Sequence, residues 1–158
     1  MRAAILTIST SRSAGEGDDE SGSALAEFAR SVGAESVEAE IVTDDRRLIA
    51  ERLRHHCDEA GCELVLTTGG TGMAPTDVTP EAICDVIERE APGIAEAMRL
   101  ASRDHTRHWM LSRGVAGVRG RTLIVSFPGN PKSIGQAGDA IRDALPHALA
   151  LLAGEHPH

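Results

Sequence analysis

The sequence predicts an α/β fold, a three-layer α/β/α sandwich around a mainly parallel sheet with a short antiparallel hairpin at one edge. Two observations carry this. Short, β-branched, apolar runs at residues 3–8, 64–68 and 122–126 have the pattern of strands covered on both faces. Between them lie segments whose apolar residues return every three or four positions, the spacing of a helix with one buried stripe. Strands that alternate with helices build a parallel sheet covered on both sides.

Along the chain, residues 3–8 form the first strand, because Met1-Arg2 leads straight into Ala-Ala-Ile-Leu-Thr-Ile rather than into a leader with a cleavage site. Leu25, Phe28, Ala29 and Val32 mark the first helix, ended by Gly33. Residues 36–42 are a weaker strand. Ile49, Leu53, Cys57 and Ala60 mark the next helix, ended by Gly61, and 64–68 follow as a strand. Thr79-Pro80 is expected to cap and open a helix carrying Ile83, Val86 and Ile87, and Pro92 to open another carrying Ile94, Ala97, Met98 and Ala101. Residues 115–118 and 121–126, joined by Arg119-Gly120, read as a hairpin. A last helix carries Ile134, Ala137, Ile141, Leu145, Ala148 and Leu152, with a bend expected at Pro146. Length and the lack of repeats or linkers indicate one domain over 1–158.

Composition narrows the function. A formal charge of −8 repels a polyanion, and 2% aromatic residues with no Tyr leave no series of rings for stacking on bases, so nucleic acid is a poor partner. No apolar run is long enough to span a membrane. Cys57, Cys62 and Cys84 form an odd set without metal or redox spacing, which suits free thiols and a cytoplasmic location.

In an open α/β sheet, ligands bind beyond the carboxyl ends of the strands. The segments there are Ser9-Thr10-Ser11-Arg12-Ser13, Thr43-Asp44-Asp45, Thr67-Thr68-Gly69-Gly70-Thr71-Gly72 and Ser126-Phe127-Pro128-Gly129-Asn130-Pro131-Lys132. Glycines 69, 70 and 72 allow positive φ and let amides approach an anion, with Thr68 and Thr71 as further donors. The same run also reads as a plain tight turn. Asn130 and Pro131 start a helix whose N-terminus, with Lys132, offers positive potential, and a simple capped helix start reads equally well. Asp44 and Asp77 share this edge, and two carboxylates beside a phosphate site suit Mg2+. Asp45 reads as a helix cap. The histidines, His55-His56, His105, His108 and the tail His156-Pro157-His158, read as solvated surface.

Thr67-Thr68-Gly69-Gly70-Thr71-Gly72, then Asp77-Val78-Thr79-Pro80-Glu81-Ala82, then Leu111-Ser112-Arg113, then Pro128-Gly129-Asn130-Pro131-Lys132 together resemble the molybdenum-cofactor biosynthesis proteins of the Mog/MoaB type. The resemblance spans nearly the whole chain. It implies molybdopterin adenylyltransferase activity, in which the phosphate of molybdopterin attacks the α-phosphorus of ATP with Mg2+ present. By the same resemblance Asp44 and Asp77 are the essential acidic, metal-holding positions, Thr71 and the glycines belong to the substrate loop, and Ser102 lines the pterin site. It further implies a homotrimer or higher homo-oligomer, and contact with other molybdenum-cofactor enzymes. Such chemistry needs positioning and charge neutralisation rather than a strong base, consistent with the absence of a Ser/His or Cys/His motif. One position departs from the family pattern: Thr76, after Pro75, stands where an Arg usually precedes the Asp. A non-catalytic molybdopterin-binding or scaffold protein of the same fold is the alternative.

Overall fold

A computed structural model describes residues 1–157; His158, the end of the predicted tail, lies outside the described residues. The elements in chain order are β1 (Arg2–Ile8), α1 (Thr10–Ser13), α2 (Glu20–Ser31), β2 (Ser36–Val42), α3 (Arg46–Arg54), β3 (Leu64–Thr68), α4 (Thr79–Cys84), β4 (Arg89–Glu90), α5 (Pro92–Ser102), β5 (Ala116–Arg119), β6 (Thr122–Phe127), α6 (Pro131–Ile141) and α7 (Ala144–Leu152). The sheet runs β2-β1-β3-β6-β5-β4. Its first four strands are parallel, and β5 and β4 are added antiparallel.

Alternation along the strands separates two cores. Ala3, Ile5, Leu64, Leu66, Leu123, Val125 and Phe127 face α2, α5, α6 and α7. Ala4, Leu6, Ile8, Val65 and Ile124 face α3 and α4. Phe28 and Phe127, with ring centroids 5.5 Å apart, supply the aromatic contact of the first core, whose other members are aliphatic. The predicted sandwich is therefore present, including the antiparallel edge.

Several local expectations are corrected. The chain leaves the helix after Cys84, so Val86 packs into the core from a turn. Val78, not Thr79, is the N-cap of α4, and it makes no side-chain cap bond. The hairpin turn is Gly120-Arg121, one residue later than expected, because Gly120 takes the positive φ of +56°. The C-terminal helix breaks at Arg142-Asp143, before Pro146, which places the proline in the first turn of α7 where no helical N–H is needed. The two-residue edge strand β4 is too short to leave a periodic signal.

The histidine reading fails at His56. Beyond Arg54 the helix widens into a π turn, His55–Glu59, closed by Ala60 N–H to His55 C=O at 2.9 Å. The extra residue shifts the apolar stripe and turns His56 inward, 3% exposed, with Nε2 2.7 Å from Glu40 on β2. The cysteines are free, as expected.

Candidate active site

Strand order reverses between β1 and β3, and the loops that follow β1, β2, β3 and β6 meet over this switch point. Gly69 (φ +97°) and Gly70 (φ +67°) begin the loop after β3 in the left-handed region. A Cβ on Gly69 would lie 2.3 Å from the Ile8 carbonyl oxygen, so glycine there lets the loop cross the end of β1. Gly72 does not have positive φ, contrary to expectation. Its hydrogen leaves room for Asp77, whose Oδ2 would be 2.8 Å from a Cβ.

Among the described residues, the N–H groups of Gly70, Thr71 and Gly72 have no hydrogen-bond partner, nor do those of Gly129 and Asn130. The two sets of amides lie on loops that Thr68 ties together at the start of α6, and free amides of this kind suit an anion. Asn130 caps α6 by accepting from Lys132 N–H at 2.9 Å, with Pro131 in the first turn as expected. The Lys132 side chain is exposed and unpaired among the described residues.

Two hydroxyls have structural duties instead. Thr68, expected to offer a donor to a ligand, donates its hydroxyl to the Pro128 carbonyl at 2.7 Å and ties the two loops together. Thr79, fully buried, donates its hydroxyl to Gly69 C=O at 2.9 Å and its N–H to Gly70 C=O at 3.1 Å. Thr71 is buried, with its own hydroxyl free of protein partners among the described residues.

The carboxylates flank this loop. Asp44 Oδ2 accepts from the N–H and hydroxyl of Thr10, at 3.1 and 2.9 Å, while Oδ1 lies 3.4 Å from the place of a Gly70 Cβ. Asp77 Oδ2 accepts from Ala74 N–H at 3.0 Å. Among the described residues, each carboxylate thus has one oxygen held by the protein and one with no protein hydrogen bond. Such a pair fits Mg2+, which takes one or two carboxylates and fills its shell with water and phosphate oxygens. No group of three acidic, His or Cys residues that would enclose a metal occurs among the described residues. Asp45 caps α3 through Leu48 N–H at 3.0 Å, as expected.

Beside the glycine loop an open groove reaches Met73, Asp77, Leu111 and Ser112. It shares Ser112 and Pro128 with a more closed recess of about 120 Å³ under α5 and α6. Ser102 lines that recess, with its hydroxyl 3.2 Å from Met98 C=O. Ser126, from the segment expected to face a ligand, lines it too, as do Arg99, Trp109 and Ser133, none of which sequence reasoning singled out. Their one signal was the lone tryptophan of a chain poor in aromatics. His108, read as surface, is exposed at the rim. Arg113 is paired with Glu81 and holds that carboxyl below its usual range.

Fold and site define an α/β domain with a groove beside unpartnered loop amides, two half-free carboxylates and an adjoining polar recess at a topological switch point. The family model described as a probable molybdopterin binding domain matches residues 4–147, and the chain belongs to this family. It is 40% identical over 154 residues to a molybdopterin adenylyltransferase of Helicobacter pylori, covering 96% of this chain and 88% of that one. To the molybdopterin adenylyltransferase of Escherichia coli K12 it is 36% identical over 170 residues, covering 99% and 87%. Among solved structures, the molybdopterin biosynthesis enzyme MoaB of Thermus thermophilus superimposes with a TM-score of 0.90 at 45% identity, covering 98% of this chain and 97% of that chain. The Mog protein of Mycobacterium ulcerans superimposes with a TM-score of 0.90 at 38% identity, covering 96% and 98%.

Proposed function

We propose that this chain is a molybdopterin adenylyltransferase, transferring AMP from ATP to the phosphate of molybdopterin with release of pyrophosphate. The observation that carries the reading is the glycine loop. Its amides at Gly70, Thr71 and Gly72 are unpartnered among the described residues, with Asp44 beside Gly70 and Asp77 beside Gly72, each carboxylate keeping a free oxygen. A phosphate monoester is already anionic near neutral pH, so the protein must orient it and offset charge rather than remove a proton.

In this reading the amides after Gly69 and at the start of α6 bind phosphate oxygens, and Lys132 adds a mobile positive charge at the rim. The recess with Trp109 and Ser102 receives the pterin, because a flat, polar heterocycle needs an apolar face and hydroxyl partners together. Asp44 and Asp77 would hold Mg2+, whose charge would stabilise the phosphate oxygens during transfer. Thr68 and Thr79 keep the two glycine loops rigid, and that rigidity aligns the attacking phosphate with the α-phosphorus. A cytoplasmic location, assembly as a homotrimer or larger homo-oligomer, and contact with other molybdenum-cofactor enzymes belong to the same proposal.

Purified protein mixed with molybdopterin, ATP and Mg2+ is expected to yield adenylylated molybdopterin and pyrophosphate, read by mass spectrometry. Thr76, in the position where the family usually has Arg, favours a second reading as a non-catalytic binder. Molybdopterin binding without product in the same assay would establish it.

A further inference from the structure

We infer that Arg113 is a positioning residue that joins the glycine loop and Asp77 into one rigid unit, without touching substrate itself. Its Nε donates to Gly72 C=O at 2.7 Å, and one terminal nitrogen donates to Asp77 C=O at 2.7 Å. The other terminal nitrogen is bound to the Glu81 carboxylate on α4. Its backbone N–H donates to Thr71 C=O at 2.8 Å. A single residue therefore grips the loop at 71, 72 and 77 and anchors it to a helix. Between the gripped points lie Met73, Ala74, Pro75 and Thr76, all exposed and in no regular element. Apart from the clamp, the segment is held by the mutual bonds of Ala74 and Asp77, which tie it to itself and not to the rest of the fold.

The planar fork of a guanidinium is needed because the two carbonyls and the carboxylate lie in different directions around it. A lysine ammonium carries the same charge but cannot bridge all three. The same bonds use up most of the donors that a phosphate would otherwise attract, which separates positioning from substrate binding.

The inference rests on the adenylyltransferase reading, so its test has one arm that needs no substrate. Amide hydrogen exchange of the ligand-free protein is measured for wild type and Arg113→Lys. Exchange at the hydrogen-bonded amides of Ala74, Asp77 and Arg113 is expected to quicken at least tenfold in the variant, with the strands unchanged. In the second arm, kcat is expected to fall about a hundredfold, with KM for ATP and molybdopterin within threefold of wild type and half-maximal activity shifted to higher Mg2+. Unchanged exchange would overturn the inference, whatever the activity. A raised KM at constant kcat would overturn it by making Arg113 a substrate contact, and a lowered Tm with unchanged kcat would reduce it to a stability role. An inactive wild type whose variant still shows faster loop exchange would instead sink the adenylyltransferase reading and leave the clamp standing. Should Arg113→Lys fail to fold, Glu81→Gln, which loosens the anchor and keeps both carbonyl bonds, is expected to give a smaller loss of kcat at constant KM. Wild-type kcat in that variant would count against the clamp.

Discussion

Gly70→Ala isolates the contact on which the loop geometry depends. The added Cβ would lie 2.3 Å from Thr79 Oγ1 and 3.3 Å from Thr79 Cβ, at a φ of +67°. The left-handed backbone costs a non-glycine residue roughly 1–2 kcal/mol. The hydroxyl must also move by about 1 Å to reach ordinary contact, which breaks its buried bond to Gly69 C=O, a loss of about 1–3 kcal/mol. Gly70→Ala is therefore expected to destabilise the fold by about 2–5 kcal/mol, a large share of the stability of an ordinary domain. Thr79→Ala alone should cost about 1–3 kcal/mol for the carbonyl left without its donor. In the double variant the clash with Oγ1 is absent, the tight contact with the Cβ of residue 79 remains, and the hydrogen bond is lost only once. Its cost should fall short of the sum of the singles by about 1–3 kcal/mol. Urea unfolding of the four proteins, compared at equal m-value, measures the cycle. Additivity within about 0.5 kcal/mol would refute the reasoning, since it would mean that residues 70 and 79 do not meet.

Asp77→Asn and Asp44→Asn should each lower turnover on the order of a thousandfold by removing a full charge from the proposed Mg2+ site, whereas Asp45→Ala should lose about 1 kcal/mol of stability and keep its turnover. Activity of either Asn variant within threefold of wild type would make that carboxylate a loop-holding group only. Thr76→Arg should lower KM about tenfold, because position 76 is exposed and Arg113 is already committed to the protein. An unchanged KM would show that the side chain at 76 points away from the phosphates. Burial pushes the Cys57 thiol up to about 11, so exposed Cys84 should be alkylated first near neutral pH, as followed by peptide mass spectrometry. The raised value also means that the folded state holds this proton while the unfolded chain releases it. Stability should therefore fall as pH rises from about 9 toward 11, and Cys57→Ser should flatten that fall.

Much of the architecture depends on information that is local in the chain. β3 matches its predicted bounds because each of its residues is apolar or β-branched, a pattern that survives any packing against either core. The caps at Asp45 and Asn130 were legible for a similar reason, since each satisfies an amide two or three residues away. The loop after β3 stood out because positive φ and close approach allow few residue types, and the two carboxylates because they share the ligand edge of the sheet.

What the tertiary structure alone decided lies in contacts between residues far apart in sequence. Thr68 has the same hydroxyl whether it faces a ligand or, as here, the Pro128 carbonyl, and only the adjacency of β3 and β6 selects the second. Arg113 has no local signature of a clamp, because its partners come from a loop and a helix far earlier in the chain. His56 turned inward through one extra residue in a helical turn, a change that left no visible mark on the pattern. The recess formed by Trp109, Arg99 and Ser133 exists only where α5 and α6 converge on the sheet. Short-range propensities determine which elements form, but the partner of each polar group is set by the packing that excludes water from around it, and that packing is a property of the whole fold.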